Sequence, residues 1–179
     1  MGGSTGSKRP RSGVPLDPSG EPDANKMSSN ILIVDDDADA RTTLVRVLEK
    51  EGYSVTGAAS AEEALGRFDQ SPFDLVLTDM RMEGMGGIEL LRALKTRRSD
   101  VPVIIMTAFA SIDTAVQAID ERAYDYLRKP YQLAEIRAAV RRALAHAELA
   151  RENRQLKHEL VRETASDRIV GTSPGMVEV

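Results

Sequence analysis

The sequence predicts an α/β fold: five parallel strands in one sheet, wound with helices on both faces in (βα)5 order. Three observations predict it. Short continuous apolar runs recur five times, segments with helical spacing separate them, and the runs end at polar or charged residues that would gather along one edge. Continuous runs suit strands buried on both faces. Regular alternation with helices calls for crossover connections and hence a parallel sheet. Right-handed crossovers leave few topologies to choose from.

Taken in order, residues 1–30 are rich in Gly, Pro and Ser, with Lys8, Arg9 and Arg11. Such a stretch cannot bury enough apolar surface to offset its ordering entropy, and it reads as a disordered tail. The pattern changes at Ile31-Leu32-Ile33-Val34, the first strand. Leu44, Val47 and Leu48 mark the first helix, Tyr53–Thr56 the second strand, and Ala61, Ala64, Leu65 and Phe68 the second helix. Leu75–Leu77 is the third strand, and Ile88, Leu90, Leu91 and Leu94 mark the third helix. Val103–Met106 follows, then a helix marked by Ile112, Ala115, Val116 and Ile119, then a strand at Tyr124–Leu127. The fifth helix opens near Gln132, and helix-forming residues continue to about Glu163 without Gly or Pro. Its first stripe, Leu133, Ile136, Val140 and Leu144, suits a sheet face. The stripe then shifts phase to Leu149, Asn153, Leu156 and Leu160, spaced 4, 3 and 4 among charged residues. That is a two-heptad seam whose polar Asn153 can set register in a parallel dimer. Two heptads are marginal alone, and the reading that competes with the seam is a solvated amphipathic connector.

Composition excludes several classes. There is no cysteine, so no disulfide, thiol nucleophile or Cys-ligated zinc. The two histidines, His146 and His158, sit on the long helix, read as solvated, and leave no His-rich metal site. Aromatics are 4% with no Trp, which argues against a base-stacking platform, and the net charge of −4 gives no basic field for nucleic acid or acidic lipid. No apolar run approaches membrane-spanning length and no apolar leader opens the chain, so a soluble cytoplasmic protein is expected.

The chemistry gathers at the strand ends. Asp35, Asp36 and Asp37 follow the first strand directly, and Leu75-Val76-Leu77-Thr78 leads into Asp79. Open α/β sheets place ligands at this carboxyl edge. One acid after a strand is explained by helix capping, but three adjacent acids are not. Adjacent parallel strands ending in acids would bring Asp35, Asp36 and Asp79 together. Three carboxylates without a soft ligand suit Mg2+ rather than zinc. The fourth strand ends at Thr107 and the fifth at Arg128-Lys129-Pro130, adding a hydroxyl and an ammonium. Carboxylates with a hard cation, a hydroxyl and an ammonium are what a transferring phosphoryl group needs.

In their order and spacing, ILIVDDD, LVLTDMRM, VIIMTAFAS and YDYLRKP resemble the receiver domain of two-component response regulators, over residues 31–145. The resemblance implies a flavodoxin-like sheet of order 2-1-3-4-5 with an extended last helix. It implies that Asp79 is the phosphoacceptor, fed by a phosphohistidine on a sensor histidine kinase. Asp36 would ligate Mg2+ directly, Asp35 through water, with Asp79 and the Arg81 backbone carbonyl as further ligands. Thr107 and Lys129 would hold the phosphoryl oxygens, Thr107 and Tyr126 would act as the switch pair, and the Lys129–Pro130 bond would be cis. Such a domain is a phosphoacceptor rather than an enzyme with turnover. Three positions depart from the family: Glu83 stands where Pro is usual, Gly86 where Asp is usual, and Arg122 where Gly is common. If the turn at Arg122 needs positive φ, Arg is strained there. Arg81, two residues past the acceptor, is placed to tune the lifetime of an acyl phosphate.

Residues 146–166 read as a helical linker. Residues 167–179, ending IVGTSPGMVEV, resemble the opening of the AAA+ ATPase domain in NtrC-type sigma-54-dependent activators. The resemblance implies control of dimerisation and, in a longer regulator, of transcription. DNA and sigma-54 RNA polymerase would then be reached only through further C-terminal domains, since this stretch holds neither G-x-x-x-x-G-K-[ST] nor a basic recognition helix. Two other readings compete. One is a Mg2+-dependent phosphatase with Asp35 as nucleophile, which lacks a distal acid pair. The other is a scaffold that dimerises without phosphorylation, against which Asp79, Thr107 and Lys129 argue. Within the receiver reading itself, the alternative to the opening of a longer regulator is a stand-alone receiver with a frayed tail.

Overall fold

The computed structural model describes residues 29–171. The expected tail through residue 28 and the expected start of a further domain from residue 172 lie outside the described residues. Ser29 is buried and Asn30 already pairs with Ser54, so the sheet begins slightly before the apolar run.

The strands are β1 (Asn30–Val34), β2 (Ser54–Ala58), β3 (Leu75–Asp79), β4 (Val103–Thr107) and β5 (Asp125–Arg128). They form one parallel sheet in the order β2-β1-β3-β4-β5, as expected. The helices are α1 (Ala38–Lys50), α2 (Ala61–Gln70), α3 (Gly87–Arg97), α4 (Ile112–Asp120) and α5 (Leu133–Gly171). Alternate side chains of the strands feed two cores. Leu32, Val34, Val76, Val103 and Ile105 pack with α2, α3 and Ala118 of α4. Ile31, Ile33, Leu75, Leu77, Ile104 and Met106 pack with α1 and with Ile136, Ala139, Val140, Ala143 and Leu144 of α5.

Two expected stripes need correction. Leu133 of α5 is 43% exposed, while Ile136, Val140 and Leu144 are buried as read. In α4 the spacing does make a helix, but Ile112 is 83% exposed and Val116 and Ile119 also face solvent. The face against the sheet is carried by Ala118, with Thr114 and Ala115 half-buried. Small residues let α4 approach the sheet, and the bulky stripe lies outside.

Two helix ends explain local sequence. At the end of α1, Gly52 takes φ +96° while the N–H groups of Gly52 and Tyr53 donate to the Glu49 and Leu48 carbonyls. This is the left-handed cap that favours glycine. α4 ends in the same motif, with Arg122 and Ala123 donating to the Ile119 and Ala118 carbonyls. There the left-handed residue is Arg122, at φ +65°, as its departure from glycine foreshadowed. Its Cβ makes that conformation cost on the order of 1 kcal/mol.

α5 runs unbroken eight residues beyond Glu163, because no breaker stands before Gly171. Below the sheet it is pinned by Arg151 to Asp74 at 2.8 Å and by Arg154 to Asp100 at 3.0 Å. Both acids precede strands, so the helix is held at the edge opposite the acid-bearing strand ends. Arg151 and Arg154 share one side of the helix. Leu149, Asn153, Leu156 and Leu160 occupy the other, and the three leucines are 65%, 60% and 62% exposed.

Candidate functional site

β1 and β3 are neighbours, in register from Ile31↔Leu75 to Val34↔Thr78, so the residues that follow them emerge side by side. Asp35, Asp36 and Asp79 meet there, each offering a carboxylate oxygen within 4.8 Å of the others. The donor set is all oxygen and all anionic, which fits a hard divalent cation. Asp37 turns away to cap α1, accepting from the N–H groups of Asp39 and Ala40 at 2.9 and 3.2 Å. The helix-capping role thus absorbs one acid of the run and leaves two for the pocket.

Asp35 is 1% exposed and is held on every side. Its N–H donates to the Ala58 carbonyl, and its carboxylate accepts from the Asp37 N–H at 3.0 Å and from Lys129 Nζ at 3.0 Å. Lys129 Nζ also lies 3.1 Å from Asp79 Oδ1, so one ammonium bridges the two strands' acids. Lys129 reaches the pocket because β5 ends beside it, where the Lys129 N–H donates to the Thr107 carbonyl and the Lys129–Pro130 bond is cis. Burial pushes the Asp79 carboxyl above its usual range; Lys129 opposes this, while Asp35 and Asp36 add to it. For Lys129 burial disfavours the charge, but the hydrogen bonds to Asp35 and Asp79 outweigh it and the net shift is upward. The pocket therefore carries surplus negative charge even with its lysine in place.

Thr107, at the end of β4, is 1% exposed, and its hydroxyl accepts from the Phe109 N–H at 3.0 Å. Tyr126 is half-buried on β5, and its hydroxyl is 2.9 Å from the Thr114 hydroxyl on α4. Thr114 also shares a capping box with Ser111 at the start of α4. Arg81 lies over the Phe109 ring, 4.2 Å from its centroid. That cation–π contact joins the loop after β3 to the loop after β4.

The two loop departures acquire roles. A proline at 83 would have no N–H, whereas the Glu83 N–H donates to Asp36 at 3.3 Å. Gly86 caps α3 without a side-chain bond of its own, and its N–H is taken by the Glu89 carboxylate at 3.1 Å. Gly87 has no alternative: a Cβ there would lie 2.4 Å from the Asp79 carbonyl oxygen and 2.9 Å from Met80 Cα. The backbone at the end of β3 passes through the space a side chain would fill.

Sequence reading did not single out Arg41, Phe109 or Thr114. Thr114 left a trace in the Ser111-x-x-Thr114 spacing of a capping motif. The other two act through tertiary contacts that leave none.

The described residues include no helix long and apolar enough to cross a membrane. The response regulator receiver domain family matches residues 31–141. The transcriptional regulatory protein ZraR of Klebsiella oxytoca is 41% identical over 149 residues, covering 82% of this chain and 32% of ZraR. The DNA-binding transcriptional regulator NtrC of Klebsiella pneumoniae is 40% identical over 147 residues, covering 82% of this chain and 30% of NtrC. The chain thus spans about a third of the length of these relatives. Among solved structures, NtrX from Brucella abortus in complex with ADP superposes with a TM-score of 0.69 at 32% identity, over 73% of this chain and 30% of NtrX. A receiver domain protein from Clostridium thermocellum gives 0.65 at 32% identity, over 68% of this chain and 98% of its own. Sheet order, the acids at the ends of β1 and β3 and the sequence match agree, and the chain belongs to the response regulator receiver domain family.

Proposed function

We propose that the chain accepts a phosphoryl group on Asp79 from a sensor histidine kinase and passes the signal through α5. The observation that carries this reading is the meeting of Asp35, Asp36 and Asp79 around Lys129. Asp35, Asp36, Asp79 and the Arg81 carbonyl would hold Mg2+, which when bound offsets negative charge between the acids and the incoming group. An Asp79 carboxylate oxygen attacks phosphorus, the phosphorus–nitrogen bond to the donor imidazole breaks, and an acyl phosphate remains on Asp79. Lys129 keeps its proton, neutralising a phosphoryl oxygen. Thr107 gives up the Phe109 N–H and donates its hydroxyl to another oxygen. Tyr126 follows by leaving Thr114, which biases α4 and β5 between two arrangements.

The output is proposed to be dimerisation along Leu149, Asn153, Leu156 and Leu160. The domain division is read as receiver 31–145, linker 146–166 and the opening of an ATPase domain from 167, although the first residues of that last stretch continue α5 to Gly171. The whole regulator would act on transcription, in keeping with relatives named as transcriptional regulators; its sigma-54 dependence and its place in the cytoplasm rest on the resemblance of the IVGTSPGMVEV stretch to NtrC-type activators. The test is treatment with acetyl phosphate and MgCl2 followed by sizing. The reading expects hydroxylamine-labile phosphate that EDTA prevents, together with a change in the monomer–dimer balance. No label at saturating Mg2+ sinks it, and label without any dimer in either state sinks the output through the seam.

The Arg81–Phe109 contact ties together the loops that follow β3 and β4, and on this reading it limits the access of water to the acyl phosphate. Replacing Phe109 by Ala is expected to speed decay of the phosphorylated form about two- to fivefold, the equivalent of an exposed cation–π contact of roughly 0.5–1 kcal/mol. Decay followed after removal of the donor checks this; an unchanged or longer half-life contradicts it.

A further inference from the structure

Arg41, on the first turn of α1, reaches back over the start of its own helix. Its Nη1 donates to the Asp35 main-chain carbonyl at 2.6 Å, a short, charge-assisted bond. That carbonyl lies just past the last β1 residue, and it belongs to the peptide that joins Asp35 to Asp36, both of them acids of the pocket. The Arg41 stem lies flat on β2 over Gly57, whose Cβ, if present, would meet Arg41 Cδ at 3.2 Å and Cγ at 3.3 Å. Gly57 pairs with Ile33, two residues before Asp35, so the arginine is seated beside the strand it serves.

We propose that Arg41 is a positioning residue for the acid pocket: by gripping the Asp35–Asp36 peptide plane it aims both carboxylates at one cation. This inference rests on the reading of Asp35, Asp36 and Asp79 as a Mg2+ site. The Asp35 side chain has other anchors, Asp37 N–H and Lys129, but Asp36 is exposed and its only hydrogen bond in the described structure is the 3.3 Å one from Glu83. The orientation of Asp36 therefore depends on the peptide before it. Groups that orient metal ligands from behind typically matter about as much as a weak ligand does. Arg41 touches neither the acceptor nor the expected ion, so its effect is on affinity and not on the transfer step.

The test uses Arg41→Met, which keeps a stem over Gly57 and removes the donor. Amide NMR shifts of Asp36 and Asp79 are titrated with MgCl2, and thermal unfolding is followed separately in EDTA. The Mg2+ midpoint is expected to rise about tenfold in Arg41→Met, with unfolding in EDTA close to wild type and with partial recovery in Arg41→Lys. Should Arg41→Met fail to fold, Arg41→Gln, whose shorter side chain lacks the guanidinium, is measured in its place and is expected to raise the midpoint in the same direction. A wild-type midpoint in whichever variant folds overturns the proposal. So does a loss of stability in EDTA with Mg2+ affinity intact, which marks Arg41 as structural only. If wild type shows no Mg2+-dependent shift and matches Asp36→Asn, the metal site itself is wrong and the inference falls with it.

Discussion

Replacing Gly87 by alanine is expected to destabilise the domain by about 2–3 kcal/mol, the upper range for forced overpacking. The added Cβ would lie 2.4 Å from the Asp79 carbonyl and 2.9 Å from Met80 Cα, and both are backbone atoms that no rotamer change can move aside. The Gly87 N–H also donates to the Met80 carbonyl at 2.9 Å, so α3 cannot drift outward without losing that bond. In a domain of this size the loss corresponds to a fall in Tm of about 10 °C. Relief of the clash would tilt the end of β3 and move Asp79 relative to Lys129, so phosphorylation is expected to slow more than stability alone explains. Thermal melts and labelling rates on the same preparations check both parts; a Gly87→Ala protein with wild-type Tm and rate contradicts the packing argument.

The second large effect is at Lys129. Changing it to Met leaves Asp35 and Asp79, nearly buried, with no cation between them. In metal-free buffer near neutral pH the expected loss is about 2 kcal/mol, less than for a fully buried pair because the lysine is partly solvent-screened. The pH dependence has a definite sign. Burial already raises the Asp79 carboxyl from the usual 3.8, so its ionised form costs stability; that cost is absent in acid, grows as pH climbs from 3.8 to the raised value, and is complete above it. Removing Lys129 deepens that cost. In wild type the Lys129 ammonium is raised from 10.5 by its bonds to Asp35 and Asp79, against the effect of burial. Its stabilisation is complete below the ordinary lysine value and disappears as pH rises through the folded value. The gap between wild type and Lys129→Met should therefore be widest in the neutral range and narrow toward both acid and strong alkali. MgCl2 should narrow it too, by supplying another cation. Urea melts across pH in EDTA measure the gap; one that widens in acid is inconsistent with this electrostatic account.

Much of the fold was legible because it rests on local patterns. Ile31–Val34 and Val103–Met106 are apolar at every position, which only a strand covered on both faces tolerates. The ends of β1 and β3 were legible as a site because all strands of a parallel sheet end on one edge; that Asp35, Asp36 and Asp79 meet depends also on the strand order, which makes β1 and β3 neighbours. α4 shows the limit of periodicity. Ile112, Val116 and Ile119 share a face, but spacing does not say whether that face meets the sheet or the solvent, and here Ala118 takes the inner side. Arg122 could be flagged from its place in a turn, but only the backbone shows the left-handed cap it occupies. Arg41 was not legible at all. Its role comes from a glycine sixteen residues later in the chain that leaves room for its stem, and no local pattern records that contact.

The central claim is that Asp79 is the group that carries the phosphoryl. Intact mass after incubation with acetyl phosphate and MgCl2, for wild type and Asp79→Asn side by side, tests it most directly. The account predicts a gain of about 80 Da, one phosphoryl group, on wild type alone and only when Mg2+ is present. An equal gain on Asp79→Asn, or none on wild type at saturating Mg2+, would contradict it.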